Sequence, residues 1–230
     1  AYMRGAFDVL LQNYSPKVVI LDITPLYISS DYYHQNLRRI SVLAPYLEKS
    51  GVVREIIYGL GQYERIKYFS RSYRFNDMPL RYLRNAFATK NTEATLMGFD
   101  PLHKVFVPDK TQKVKSENYA LSPDAVAHLQ SLLQEAKKRG VHVVLAETPR
   151  WFSSLRRPPG EIQLERVIRK VAEENSVPYV QILQENYPEF RDASLFADPS
   201  HLNDRGAKLF SRIFSEHLSN EKCITLSLRR

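Results

Sequence analysis

The residues best placed to do chemistry in this 230-residue chain stand near its C-terminus, in Leu195-Phe196-Ala197-Asp198-Pro199-Ser200-His201-Leu202-Asn203-Asp204-Arg205-Gly206. A carboxylate and an imidazole three positions apart on one loop can act as a unit. A hydroxyl nucleophile is weak at neutral pH and needs an adjacent base. His201 can take that proton on one ring nitrogen if a carboxylate holds the other, and Asp198 can curl back to fix the tautomer. Pro199 stiffens the turn, and Asn203 is placed to cap a following helix. The competing reading makes Asp198 a turn residue and His201 a polar surface group near a helix start.

Arg150 and Trp151 follow an apolar run and are candidates for substrate contact. An arginine there can hold an anionic or carbonyl group and a tryptophan can stack on a sugar, unless the pair anchors the loop. Thr24, just past an earlier apolar run, is a weak candidate for a nucleophile or oxyanion position. Ser29-Ser30 and Ser153-Ser154 lack the context of a strained nucleophile turn, and no Gly-x-Ser-x-Gly elbow occurs. The other histidines, His34, His103, His128, His142 and His217, show no zinc spacing, and the single Cys223 excludes an internal disulfide and a cysteine cluster. With no glycine-rich phosphate loop either, neither a metal nor an organic cofactor is expected.

These residues need elements to position them. Residues 2–13 read as a helix with Phe7, Leu10 and Leu11 on one face. Val18-Val19-Ile20-Leu21-Asp22-Ile23-Thr24, closed by Pro25, is almost continuously apolar and predicts a strand buried on both faces of a parallel sheet. Ser122-Pro123-Asp124 starts a helix, with Ser122 as N-cap, and Gly140 supplies its left-handed end. A strand over 141–146 follows, then a helix over 160–175 with Ile162, Val167, Ile168 and Val171 inward, and a strand over 177–182. The last helix runs from near Asn203 to about Leu218, with Leu209, Phe210, Ile213 and Phe214 facing the core. This alternation predicts an α/β fold with a mostly parallel sheet and helices on both faces. Ligands collect beyond the carboxyl ends of such strands, where residues 22–25, 147–151 and the loop before the last helix arrive. Residues 26–120 interrupt the pattern, helical over 30–90 and loop-like over 91–120, and read as an insertion within a single domain spanning 1–230.

The string Asp198-Pro199-Ser200-His201-Leu202-Asn203-Asp204-x-Gly206, opening the last helix of an α/β chain, resembles the final conserved block of SGNH/GDSL-type hydrolases. Pro16-Lys17-Val18-Val19-Ile20-Leu21-Asp22 and Gly98-Phe99-Asp100-Pro101-Leu102 resemble the envelope-associated bacterial branch of that family. The resemblance implies a three-layer α/β/α sandwich of flavodoxin-like, SGNH-hydrolase type, and a Ser-His-Asp triad with His201 as base and then acid and Asp198 as its orienting partner. It implies cleavage of an acyl ester, on an acylated envelope polysaccharide or a similar small ester, in the periplasm or at a membrane anchor. The family's Gly-Asp-Ser or Gly-Ser-Ser turn and its Gly-x-Asn-Asp block are absent here. The serine is therefore expected upstream of Ala1, and this chain alone is expected to be inactive.

Composition bounds the alternatives. Hydrophobic residues at 43% and charged residues at 25% are ordinary for a soluble globular protein. No stretch approaches the roughly eighteen apolar residues of a membrane span. The net charge is +8, and residues 51–90 hold eight Lys/Arg against three acids, interleaved with Tyr58, Tyr63, Tyr68, Tyr73 and Tyr82. Such a segment can hold an anionic polymer or a membrane surface, or it can be an amphipathic helical insertion with solvated arginines. No nucleic-acid module is recognisable, so nucleic acid is not an expected partner. Two rival functions stand beside ester hydrolysis: an O-acetyltransferase or its accessory protein in polysaccharide modification, and a non-catalytic SGNH-like domain that binds through the basic segment.

Overall fold

The computed structural model describes residues 1–69, 99–108, 119–154 and 157–220. Gly98, Cys223, positions 70–90 of the basic tyrosine-rich segment and much of the expected loop over 91–120 lie outside them. The chain divides into two compact units, 1–15 with 34–100 and 16–33 with 101–230. The helix that opens the chain thus shares a unit with the helical part of the expected insertion.

In the first unit, α1 (Tyr2–Asn13) buries Gly5, Phe7 and Asp8, while Leu10 and Leu11 of the expected stripe stay half-buried. The shift has a polar cause. Asp8 accepts hydrogen bonds from Ser50 Oγ at 2.6 Å and Gln12 Nε2 at 2.7 Å, which draws this face inward. Ser50 is fully buried and caps α3 (Gly51–Gly59), its Oγ accepting from Val53 N at 2.9 Å. A 3-10 stretch, Leu37–Tyr46, precedes α3 and α4 (Gln62–Phe69) follows it, while α2 (Ser30–Asn36) has its first four residues in the second unit. Ile40, Leu43, Leu47, Val53 and Ile57 form the core. Ser50→Ala removes the cap and one partner of Asp8, with an expected cost of about 1–2 kcal/mol in denaturant unfolding.

In the second unit, β1 (Val18–Asp22), β2 (His142–Glu147) and β3 (Tyr179–Gln181) form a parallel sheet in the order β1-β2-β3. α5 (Pro123–Lys138) begins as its sequence predicts, with Ser122 Oγ accepting from Ala125 N at 3.2 Å, and ends before Gly140 at φ 67°. β2 is buried from Val143 to Glu147. β1 is not buried on both faces: among the described residues it pairs only with β2, and Ile20 is 51% exposed. A continuous apolar run records side-chain polarity and does not encode whether a second strand lies alongside.

α6 (Pro159–Glu174) also departs from expectation. Ile162 and Val167 are half-exposed, whereas Leu164, Ile168, Val171 and Ala172 are buried together with Glu161 and Glu165. Each of these glutamates meets an arginine, Arg150 and Arg169, so the helix turns a partly charged face inward. Val144 and Ala146 of β2 and Val180 of β3 pack with Ile182, Phe190, Leu195, Phe196 and Phe214. Phe214 belongs to the last helix, α7 (Asp204–Asn220), where it stacks on Phe210 at 5.4 Å between centroids. The result is a mixed α/β fold with a small parallel sheet flanked by helices, the architecture that the helix–strand alternation predicts.

Candidate active site

Asp198 and His201 face each other across a short antiparallel hairpin of β4 (Phe196–Asp198) and β5 (His201–Leu202). Asp198 Oδ1 accepts from the backbone amides of Ser200 at 2.8 Å and His201 at 3.0 Å, so the carboxylate organises its own turn. His201 Nδ1 lies 2.9 Å from Oδ1 and 2.8 Å from Oδ2. Burial by itself would raise the Asp198 carboxyl; the Ser200 amide, the His201 ring and the His201 amide outweigh it and hold the pKa below the ordinary carboxylate value. An ionised carboxylate only accepts, so Nδ1 donates and the lone pair is left on Nε2. Nothing among the described residues hydrogen-bonds Nε2. The His201 side chain is 66% exposed and that of Asp198 is 45% exposed, so the pair faces solvent.

The hairpin is fixed to α7 by Asn203, which is 3% exposed. Its Oδ1 accepts from Gly206 N at 3.1 Å, the N-cap expected of it. Its Nδ2 donates to Ser194 O at 2.7 Å and Phe196 O at 3.2 Å, and its backbone N–H donates to Leu195 O at 3.0 Å. One side chain thus ties the helix start to the strand that carries Asp198. Asn203→Ala removes the cap and takes a donor from the carbonyls of Ser194 and Phe196, with an expected loss of about 2–4 kcal/mol in thermal or denaturant unfolding. Asn203→Asp keeps the acceptor but turns a carboxylate oxygen onto the carbonyls of Ser194 and Phe196, and is expected to lose at least as much.

Trp151 reaches this hairpin. Its backbone N–H donates to Pro199 O at 2.8 Å, and its ring meets Phe196 edge-on at 5.9 Å and Phe106 at 6.3 Å. Because Trp151 follows the carboxyl end of β2, the hairpin stands at the rim where open parallel sheets collect ligands. Arg150 turns instead to Glu161 and stacks on Phe152, with only 11% of its side chain exposed. Thr24 is buried at the start of the 3-10 turn Pro25–Ile28, and no hydrogen bond among the described residues links it to the hairpin. Ser29 and Ser30 donate to the carbonyls of Leu26 and Leu121, while Ser153 and Ser154 lie exposed.

Two features of the rim were not legible beforehand. Thr148 Oγ1 donates to Asp22 Oδ1 at 3.3 Å, linking the carboxyl ends of β1 and β2. Asp22 keeps an exposed surface, yet the protein crowding its carboxyl raises its pKa against the pull of Thr148 and Tyr27. Glu147, 1% exposed, accepts from Tyr179 OH at 2.7 Å, Gln181 Nε2 at 2.8 Å and Arg157 Nη1 at 3.3 Å. Its burial raises its pKa while the Arg157 charge opposes the rise. A carboxylate ending an apolar buried strand was a signal, since such a group needs a cation. Which arginine answers it depends on the path of a loop.

The chain matches no protein-family model, no curated protein and no solved structure. A cleft of about 280 Å³, bordered by Lys137, His142, Ser176 and Val177, lies at the amino ends of β2 and β3, on the rim opposite the hairpin. Among the described residues no three His, Cys, Asp or Glu converge as metal ligands, and no helix is long and apolar enough to cross a membrane.

Proposed function

We propose that this chain supplies the acid–base half of an ester hydrolase of the SGNH/GDSL type, with the nucleophilic serine on a segment upstream of Ala1. The observation that carries the reading is the coupling of His201 Nδ1 to the Asp198 carboxylate, with Nε2 open to solvent. As the serine Oγ attacks the ester carbonyl carbon, Nε2 takes its proton, and Asp198 steadies the imidazolium. The imidazolium then protonates the departing alkoxide, leaving an acyl-serine. Water, deprotonated by the same Nε2, attacks the acyl carbon, and the proton returns to the serine as the acid leaves.

The exposed edge of β1 supports the missing piece, because a further parallel strand there would end at the rim that Asp22 and Thr148 share. With that strand the architecture is the three-layer α/β/α sandwich of the family. An exposed base admits an extended substrate, and Trp151 offers an aromatic ring to a sugar, so the favoured substrate is an acylated polysaccharide of the cell envelope.

The test joins the chain to the residues encoded immediately upstream and assays acetyl-ester cleavage with and without an acceptor sugar. The longer protein is expected to cleave the ester, the 230-residue chain is not, and His201→Ala abolishes the activity. Acyl appearing on the added sugar, in place of free acid, would make the enzyme a transferase. An upstream sequence without a serine after a short apolar strand overturns the proposal. So does salt-sensitive polymer binding, without cleavage, that survives His201→Ala.

A further inference from the structure

The segment after β2 leaves the sheet at Glu147 and enters α6 at Pro159. Near its two ends arginines turn inward, Arg150 onto Glu161 and Arg157 onto Glu147 and Glu185. The two arginine side chains are 11% and 9% exposed, and Glu161 and Glu147 only 3% and 1%. Buried ion pairs add little net stability, because desolvation offsets their attraction; what they fix is geometry. A third anchor lies between them, where Phe152 N donates at 3.0 Å to Gln184 Oε1. Gln184 is 2% exposed and its Nε2 has no hydrogen-bond partner among the described residues, whereas its Oε1 grips this segment.

Trp151 sits between Arg150 and Phe152, inside this set of anchors. Its backbone N–H donates to Pro199 O in the turn between Asp198 and His201, and its ring packs on Phe196 of the same hairpin. We propose that Arg150 and Arg157 are positioning residues: through their buried ion pairs they hold Trp151 against the Asp198–His201 hairpin and thereby set the orientation of the imidazole. The catalytic consequence rests on the ester-hydrolase reading. The placement of Trp151 does not.

Trp151 is the sole tryptophan of the chain, so fluorescence excited on the long-wavelength side of tyrosine absorption reports its surroundings. The 230-residue protein is compared with Arg150→Gln, Arg157→Gln, Arg157→Lys and the control Arg139→Gln. The control breaks the exposed Arg139–Glu135 pair at the end of α5, which is bonded to none of the three anchors. Arg150→Gln and Arg157→Gln are expected to move the emission to longer wavelength and to raise acrylamide quenching, with far-ultraviolet circular dichroism retained. Arg157→Lys is expected to restore much of the native signal, and Arg139→Gln to leave it unchanged. Should Arg157→Gln unfold because it strands the Glu147 charge, the double change Glu147→Gln with Arg157→Gln removes both charges and keeps the test decisive. Native circular dichroism with unaltered emission and quenching in Arg150→Gln and in the double variant overturns the proposal.

In the longer protein that carries the upstream serine, kcat is expected to fall about a hundredfold in Arg150→Gln with KM little changed, the scale of a small misplacement of a catalytic group. A longer protein that is inactive as the wild type, while fluorescence still responds, sinks the ester reading and leaves the positioning role standing. A silent fluorescence signal sinks the positioning role whatever the activity.

Discussion

Asp198→Asn is expected to lower kcat/KM for ester cleavage by about four orders of magnitude while the protein stays folded. The asparagine oxygen can still accept from the amides of Ser200 and His201, so the turn survives. The amide group that replaces the second oxygen cannot accept the Nδ1 proton. The imidazole then carries its proton on Nε2, and the atom that should receive the nucleophile's proton is already occupied. The lost charge adds less here than in an enclosed site, because both side chains are exposed and water screens them. The tautomer therefore dominates the effect, and imidazole nitrogen chemical shifts in the 230-residue chain check it without any turnover. An Asp198→Asn protein whose proton remains on Nδ1 contradicts the argument.

Gly206→Ala is expected to be the most destabilising conservative change at the site, by about 3 kcal/mol or more. A Cβ at this position would lie 2.1 Å from Leu195 O and 3.0 Å from both Leu195 C and Leu202 Cδ2. A side-chain tip could swing away, but this obstacle is a backbone carbonyl that already accepts the Asn203 N–H at 3.0 Å. The gain from replacing a helical glycine by alanine, up to about 1 kcal/mol, does not offset the clash. For a chain of this size the midpoint of thermal unfolding is expected to drop by roughly 6–12 °C. Gly59→Ala, where a Cβ meets nothing within 4 Å, is the control and is expected to leave the midpoint within a few degrees. Gly206 in the Asp-x-x-His-Leu-Asn-Asp-x-Gly string is thus explained by the close approach of α7 to the segment before β4.

The parts of this molecule that were legible in advance are those written into adjacent residues. Ser122-Pro123 and Asn203 announce their helices because a cap is a contact between a side chain and an amide three positions on. Asp198 and His201 could be paired for the same reason, since three residues of chain separate them. Where a residue's role depends on distant chain, the sequence misled or stayed silent. The apolar run of β1 looked central and, among the described residues, is paired on one side only, and the apolar positions Ile162 and Val167 looked buried and are half-exposed. Glu161 and Glu165 took the inward face because Arg150 and Arg169 wait there, one from a loop eleven residues earlier. Arg150, a candidate for holding substrate, makes its contacts with Glu161 and Phe152, whereas Trp151 beside it reaches the hairpin.

The open side of β1 has a consequence for how the protein behaves in concentrated solution. Among the described residues no strand pairs with the other side of Val18-Val19-Ile20-Leu21, and a strand open on one side is a template onto which other extended chains can add. Lys17 and Asp22, both exposed, bracket this tetrad with one charge at each end. Flanking charges of this kind act as gatekeepers, since any chain aligning along the rim must bring them out of water or abut them with its own. The edge stays available to a strand shaped for it, and the charge at either end opposes indiscriminate fibril growth.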